Sequence, residues 1–219
     1  MASVRDDTDN RITMVLGKYM PERSARALVG RVRRATGTDH GDLEARDMSA
    51  FFVALEKQAA TFLDRRAQAI LHGELEFELA TSISGVLATA PIADQSLDVR
   101  SEWDVSVARA RAREMMTALG AKSYEVVKVM TLVSELARNI VLYTPGGRLV
   151  LTATQSPRSL VVVATDQGPG IPNLDEVLSG QYRSKTGLGK GLLGVKRLAT
   201  RFAIQTDARG THVEVEVRL

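Results

Sequence analysis

The sequence predicts an α/β two-layer sandwich with a mixed, mostly antiparallel sheet, preceded by a small all-α helical domain. Three observations carry that expectation. Apolar residues in the first 90 positions recur at helical spacing. From Leu97 onward helical segments alternate with β-rich runs. The last run sets Val213, Val215 and Val217 between Glu214, Glu216 and Arg218, the sign of a strand with one buried face. Eleven of the 17 glycines lie after Leu97, most of them between Gly146 and Gly194. Helices beside a mostly antiparallel sheet make two layers.

Elements follow in order. Ile12, Val15, Leu16 and Tyr19 mark a first helix. Pro21 suits the opening turn of a second, whose apolar face is Leu28, Val29, Val32 and Ala35 and which ends at Thr36-Gly37. A long third helix is expected from about Asp47, with Met48, Phe51, Phe52, Leu55, Ala59, Phe62, Leu63 and Ile70 as its stripe. Leu75 to Leu87 is a fourth. The stretch 91–96 contains Pro91 and reads as a linker, giving domains 1–90 and 97–219. In the second domain Leu97 to Ser101 is a short strand and Trp103 to Leu119 a helix closed by Gly120. Ser123 to Leu142 is a helix apolar on nearly every side. Arg148 to Thr154 and Leu160 to Thr165 form a hairpin, and 166–188 is a long glycine-rich loop. Gly191 to Phe202 is a helix. Ala203 to Thr206 and Thr211 to Leu219 are the final strands.

Composition narrows the function. The chain has 219 residues, 44% hydrophobic and 25% charged, which is ordinary for a globular protein. With no cysteine, disulfides, thiolate metal sites and cysteine nucleophiles are excluded, and a reducing compartment, the cytoplasm, is expected. Three dispersed histidines argue against catalytic zinc. A net charge of +3 does not call for nucleic acid. No apolar run approaches 18 residues, so no membrane partner is expected. Residues 1–10 lack the apolar core of a signal peptide.

Glu135 and Asn139 are four apart on the apolar helix and share a face. Glu135 is either half of an ion pair with Arg138 or a carboxylate base beside an amide oxygen for a hard cation. Asp166-Gln167-Gly168-Pro169-Gly170-Ile171 follows a β-rich run. It reads as a turn, or as a carboxylate able to accept from an amine beside glycines that admit a ligand. Gly187-Leu188-Gly189-Lys190-Gly191-Leu192-Leu193-Gly194 runs into a helix, where backbone amides favour phosphate. Its G-x-G-x-x-G spacing lacks the preceding strand and the later acidic residue of a dinucleotide site. Gly191 after Lys190 excludes a Walker loop.

Together, E-x-x-x-N on a helix, a hairpin, D-x-G-x-G-I, a long loop, G-x-G-x-G into a helix and a strand with Gly210-Thr211 resemble the GHKL ATPase superfamily with its Bergerat ATP-binding fold. Residues 99–104, Ser134 to Ile140, Asp166 to Ile171 and Gly187 to Leu198 resemble the RsbT-like switch serine/threonine kinases and anti-sigma regulatory factors. The resemblance spans about 97–219. It implies that Asp166 binds the adenine amine with help from Thr211, and that Gly168 and Gly170 let the backbone lie against the base. It implies that Asn139 coordinates magnesium, that Gly187, Gly189, Gly191 and Gly194 form the lid and phosphate cradle, and that Glu135 is general base. Lys190 stands where relatives are hydrophobic; it either touches phosphate or is solvated. Leu193 stands where proline is common.

The activity so implied is ATP-dependent phosphorylation of a STAS-domain antagonist protein, with a phosphatase or other regulator downstream. One rival is a non-catalytic ATP-gated binding module or anti-sigma factor. Another is a histidine kinase using His72, although the rest of a phosphoacceptor box is missing. Residues 1–90 resemble nothing recognisable and are expected to bind partners, form a homodimer or gate the lid. There, Arg31-Val-Arg-Arg34 reads as a solvated helix face rather than a nucleic-acid contact. The Phe51/Phe52/Phe62 stripe reads as core and Trp103 as packing.

Overall fold

The computed structural model describes residues 4–39, 43, 45–87, 94–180 and 191–219. The chain divides into two compact units, Met1–Val86 and Leu87–Leu219. No helix among the described residues is long and apolar enough to cross a membrane.

The first unit is helical: α1 (Val4–Leu16), α2 (Glu22–Thr36), α3 (Ala45–Ala59), a 3-10 turn (Ala60–Phe62) and α4 (Arg65–Leu87). Its buried side chains include Ile12, Leu16, Leu28, Phe51, Phe52 and Leu71. The expected long third helix is broken. Asp64 accepts a hydrogen bond from the Ala67 amide at 2.8 Å, an N-cap contact that opens α4. Gln68 ties the break by donating to the carbonyls of Ala60 and Leu63. The break turns Phe62 outward, 66% exposed, and Ile70 with it, so neither belongs to the core. Arg33 also departs from expectation. It is buried, bonded to Asp9 at 2.6 Å and to the Thr38 carbonyl at 2.9 Å, and lies over the Phe51 ring. His72 Nδ1 lies 2.7 Å from a Glu56 carboxylate oxygen.

The second unit is the two-layer sandwich. Strands β1 (Gln95–Val99), β2 (Gly147–Gln155), β3 (Arg158–Asp166), β4 (Arg201–Asp207) and β5 (Gly210–Arg218) form one sheet in the order β1-β2-β3-β5-β4. Every pairing is antiparallel, so nothing among the described strands is mixed. Helices α5 (Glu102–Ala118), α6 (Ser123–Tyr143), α7 (Leu174–Ser179) and α8 (Gly191–Leu198) complete it. Val105, Ala108 and Met116 of α5 join Leu132, Leu136 and Ile140 of α6 in one core with the inward valines and leucines of the sheet. Trp103 is buried, as packing requires.

Several boundaries move. Residues 91–93 of the expected linker lie outside the described residues, while Gln95 and Ser96 pair with Leu151 and Val150 in β1. The strand stops at Val99 because Ser101 caps α5 in a reciprocal capping box with Asp104. The expected loop 166–188 contains α7, closed by Gly180 in the left-handed region. Helix α8 ends at Leu198 rather than Phe202, and β4 begins at Arg201.

Candidate functional site

A cleft of about 350 Å³ opens beside α6 and one end of the sheet. Its apolar wall includes Ile140, Ala164, Ile171, Leu192 and Val213; Asn139, Asp166 and Thr211 supply polar groups. A mostly apolar wall with a few placed polar groups is the lining expected of a small-molecule site.

Asp166 is the last residue of β3, the strand between β2 and β5. It stands opposite Gly147 on one side and Thr211 on the other. One carboxylate oxygen accepts from the Gly168 amide at 2.8 Å, which fixes the side chain. The other has no hydrogen bond among the described residues. Gly168 itself is buried and does not line the cleft; a β-carbon there would press on the Thr144 methyl and on Asp166. Gly170 does line it, with φ of 73° and no room for a side chain against the Asp207 carbonyl.

Thr211 meets Thr206 hydroxyl to hydroxyl at 3.0 Å, and Thr206 Oγ1 accepts from the Ile171 amide at 2.9 Å. Thr206 thus holds the Asp166–Ile171 loop against β5. Sequence reasoning missed it; its place opposite Thr211 across the β4–β5 turn was the available signal. In that turn Asp207 accepts from the Arg209 guanidinium and amide, which hold its carboxyl below the usual range. Thr144 was also missed. Its hydroxyl donates to the Ile140 carbonyl at 2.8 Å and accepts from the Gly146 amide at 3.1 Å, closing the end of α6 beside the cleft.

Glu135 and Asn139 lie one turn apart on α6, both half-buried. Asn139 reaches the cleft. Glu135 instead lies against the first residue of α8, where a β-carbon on Gly191 would collide with its carboxylate. Arg138 pairs with Glu102 at 3.5 Å, so the alternative Glu135–Arg138 pair is not formed. Gly194, in α8, does not line the cleft, and none of the described residues stands where its side chain would go. Gly187, Gly189 and Lys190 lie outside the described residues. No group of three or more His, Cys, Asp or Glu among the described residues could hold a metal by itself. A cation here would have the Asn139 amide oxygen as a protein ligand and would need its other oxygens from water or a bound molecule.

Residues 99–217 match the histidine kinase-like ATPase domain family. The chain is 38% identical over 125 residues to the serine/threonine-protein kinase RsbT of Bacillus subtilis, across 55% of this chain and 94% of that protein. It is 30% identical over 93 residues to the anti-sigma F factor of Shouchella clausii, across 41% of this chain and 64% of that protein. Among solved structures it is similar to the SiaB–SiaC complex from Pseudomonas aeruginosa, with 13% identity, a TM-score of 0.40, and coverage of 62% of this chain and 95% of that one. The matched stretch contains every residue that lines the cleft, and the chain belongs to the histidine kinase-like ATPase domain family.

Proposed function

We propose that this chain is an ATP-dependent protein serine/threonine kinase of the partner-switching type, acting on a STAS-domain antagonist protein in the cytoplasm. The likeness to RsbT across nearly all of that kinase, with Asn139 in the cleft and Glu135 one turn before it on α6, is the observation that carries the reading. In it, the free oxygen of Asp166 accepts from the adenine amine while Thr211, held by Thr206, lies beside it. The apolar wall takes the faces of the base, and the Gly170 backbone lies along it.

Asn139 offers its amide oxygen to magnesium, whose contribution is to neutralise phosphate charge. Gly187, Gly189, Lys190, Gly191 and Gly194 belong to the lid. Glu135 accepts the proton of a serine or threonine hydroxyl as that oxygen bonds to the γ-phosphorus and the bond to the ADP oxygen breaks. Residues 1–90 form the partner-binding or dimerising domain, and a phosphatase or other regulator receives the kinase once its substrate is phosphorylated.

Labelled ATP, the chain and a STAS protein test the reading. An acid-stable, alkali-sensitive phosphoprotein is expected, with Asp166→Asn abolishing ATP binding and Glu135→Gln slowing transfer by about 10²–10⁴-fold at near-normal affinity. ATP binding without transfer would favour an ATP-gated binding module, the alternative that the anti-sigma F factor likeness supports. Acid-labile label on His72 would favour a histidine kinase.

A further inference from the structure

Helix α2 has two faces. Ala25, Leu28, Val29 and Val32 are buried. Opposite them Arg23, Arg26, Arg31 and Arg34 are all exposed. At about 100° per residue these four fall within an arc of about 140°. Ala27 and Gly30 lie along the middle of that arc, so the floor between the guanidiniums is nearly flat. Arg34 leans across it, with Nη1 3.7 Å from where a β-carbon on Gly30 would stand. Arg26 pairs with Glu22 at 3.0 Å. Arg23, Arg31 and Arg34 have no ion pair among the described residues.

Part of this face works against the helix that bears it. Arg23 and Arg26, and again Arg31 and Arg34, are like charges three residues apart, a spacing that destabilises a helix. Arg23 also lies in the first turn, where the helix dipole is already positive. Arg26 is offset by its pair with Glu22, and Arg34 lies in the last turn, where the dipole favours a cation. Arg23 and Arg31 are the two that break the local rule without such an offset, which points to function.

We propose that the arginine face of α2 is a docking site for an acidic segment of a partner protein. Carboxylates of that segment would take the guanidiniums as forked, charge-assisted pairs, and the Ala27–Gly30 floor would let its backbone approach closely. A protein segment fits better than a long polyanion or a bilayer. The first 96 residues carry 14 acidic against 12 basic side chains, so this half of the chain has no net positive charge to hold a long polyanion or an anionic bilayer. Helix α2 has no aromatic residue to stack on a base. Its 15 residues span about 22 Å, room for a short segment only.

The test titrates the full chain, without nucleotide, with a fluorescent deca-glutamate peptide, so its outcome is independent of the kinase reading. Wild type should bind with an affinity that falls as salt rises. Arg23→Glu/Arg31→Glu should bind at least tenfold more weakly while melting at the same or a higher temperature. Arg23→Gln/Arg31→Gln stands in should the double reversal fail to fold. The proposal is overturned by wild type that ignores the peptide or by variants that bind it as well as wild type. Tighter arginine-dependent binding of single-stranded DNA or phosphatidylserine vesicles than of the peptide would also overturn it.

Discussion

The Glu135 carboxylate fills the space where a side chain on Gly191 would begin. The group proposed as general base therefore rests on the first residue of α8. Residue 191 must be small for Glu135 to hold that position. Gly191→Ala is expected to slow phosphoryl transfer by about 10–100-fold, since displacing a catalytic group by about 1 Å costs that much. Shortening the acid in Gly191→Ala/Glu135→Asp should recover part of the loss. Single-turnover rates for the four combinations decide it. A double mutant no faster than Gly191→Ala would show that the glycine does not act through Glu135.

Thr206 joins the Ile171 amide to Thr211, so Thr206→Val frees one end of the loop that carries Asp166. Losing a hydrogen bond from a half-buried amide costs about 1–2 kcal/mol, or roughly 5–30-fold in ATP affinity. Calorimetry should find that loss with an unchanged melting temperature for the helical unit.

Asp64 stabilises the break between α3 and α4. Asp64→Ala should cost about 0.5–2 kcal/mol through the lost cap. The melting temperature of the helical unit should fall, and ATP affinity of the second unit should not.

Glu216 sits on β5 with its side chain about 10% exposed. A hydrogen bond from Arg218 is the main cause holding its carboxyl below the usual glutamate range; burial opposes this, and the charges of Arg218 and Arg201 add to it. A folded-state value below the unfolded one means that the unfolded chain takes up the proton first. The stabilisation is thus complete above the ordinary glutamate range and is lost as pH falls through the lowered value. Urea melts from about pH 6 down to pH 3 should show this decline, and Glu216→Gln should flatten it.

Much of the second unit was legible because its signals are local. Gly120 announces the end of α5 and the valines of β5 declare their buried face, whereas Ser101, expected to end a strand, is the cap that starts α5. Helix α7 was not legible, because six residues with three apolar positions look like a loop until Leu174, Val177 and Leu178 find the core. In sequence Arg33 looks like Arg31 and Arg34; what sets it apart, Asp9 and Phe51 on other helices and the Thr38 carbonyl, appears only once the helices pack. Phe62 continued the stripe of α3 in sequence, yet Asp64 starts a new helix two residues later. For the cleft, Asn139, Asp166 and Thr211 were readable from motif and order. Thr206 and Thr144 were not, since their roles depend on strand register and on the end of a helix.

Asp166 ends a nine-residue strand whose turn, Ser156-Pro157, lies at the opposite end of the sheet. Alternate side chains of a strand face opposite sides, so β3 sets which way residue 166 points. A single residue added between Leu160 and Ala164 would present Thr165 or Gln167 to the cleft and send the carboxylate to the other face. Two added residues would restore the facing but carry it about 7 Å along the strand. Length changes should be tolerated at Ser156-Pro157, where they alter the turn and leave the parity of the strand intact. That turn is the place to graft a tag or reporter, and the interior of β3 is the place where even a conservative insertion disarms the protein.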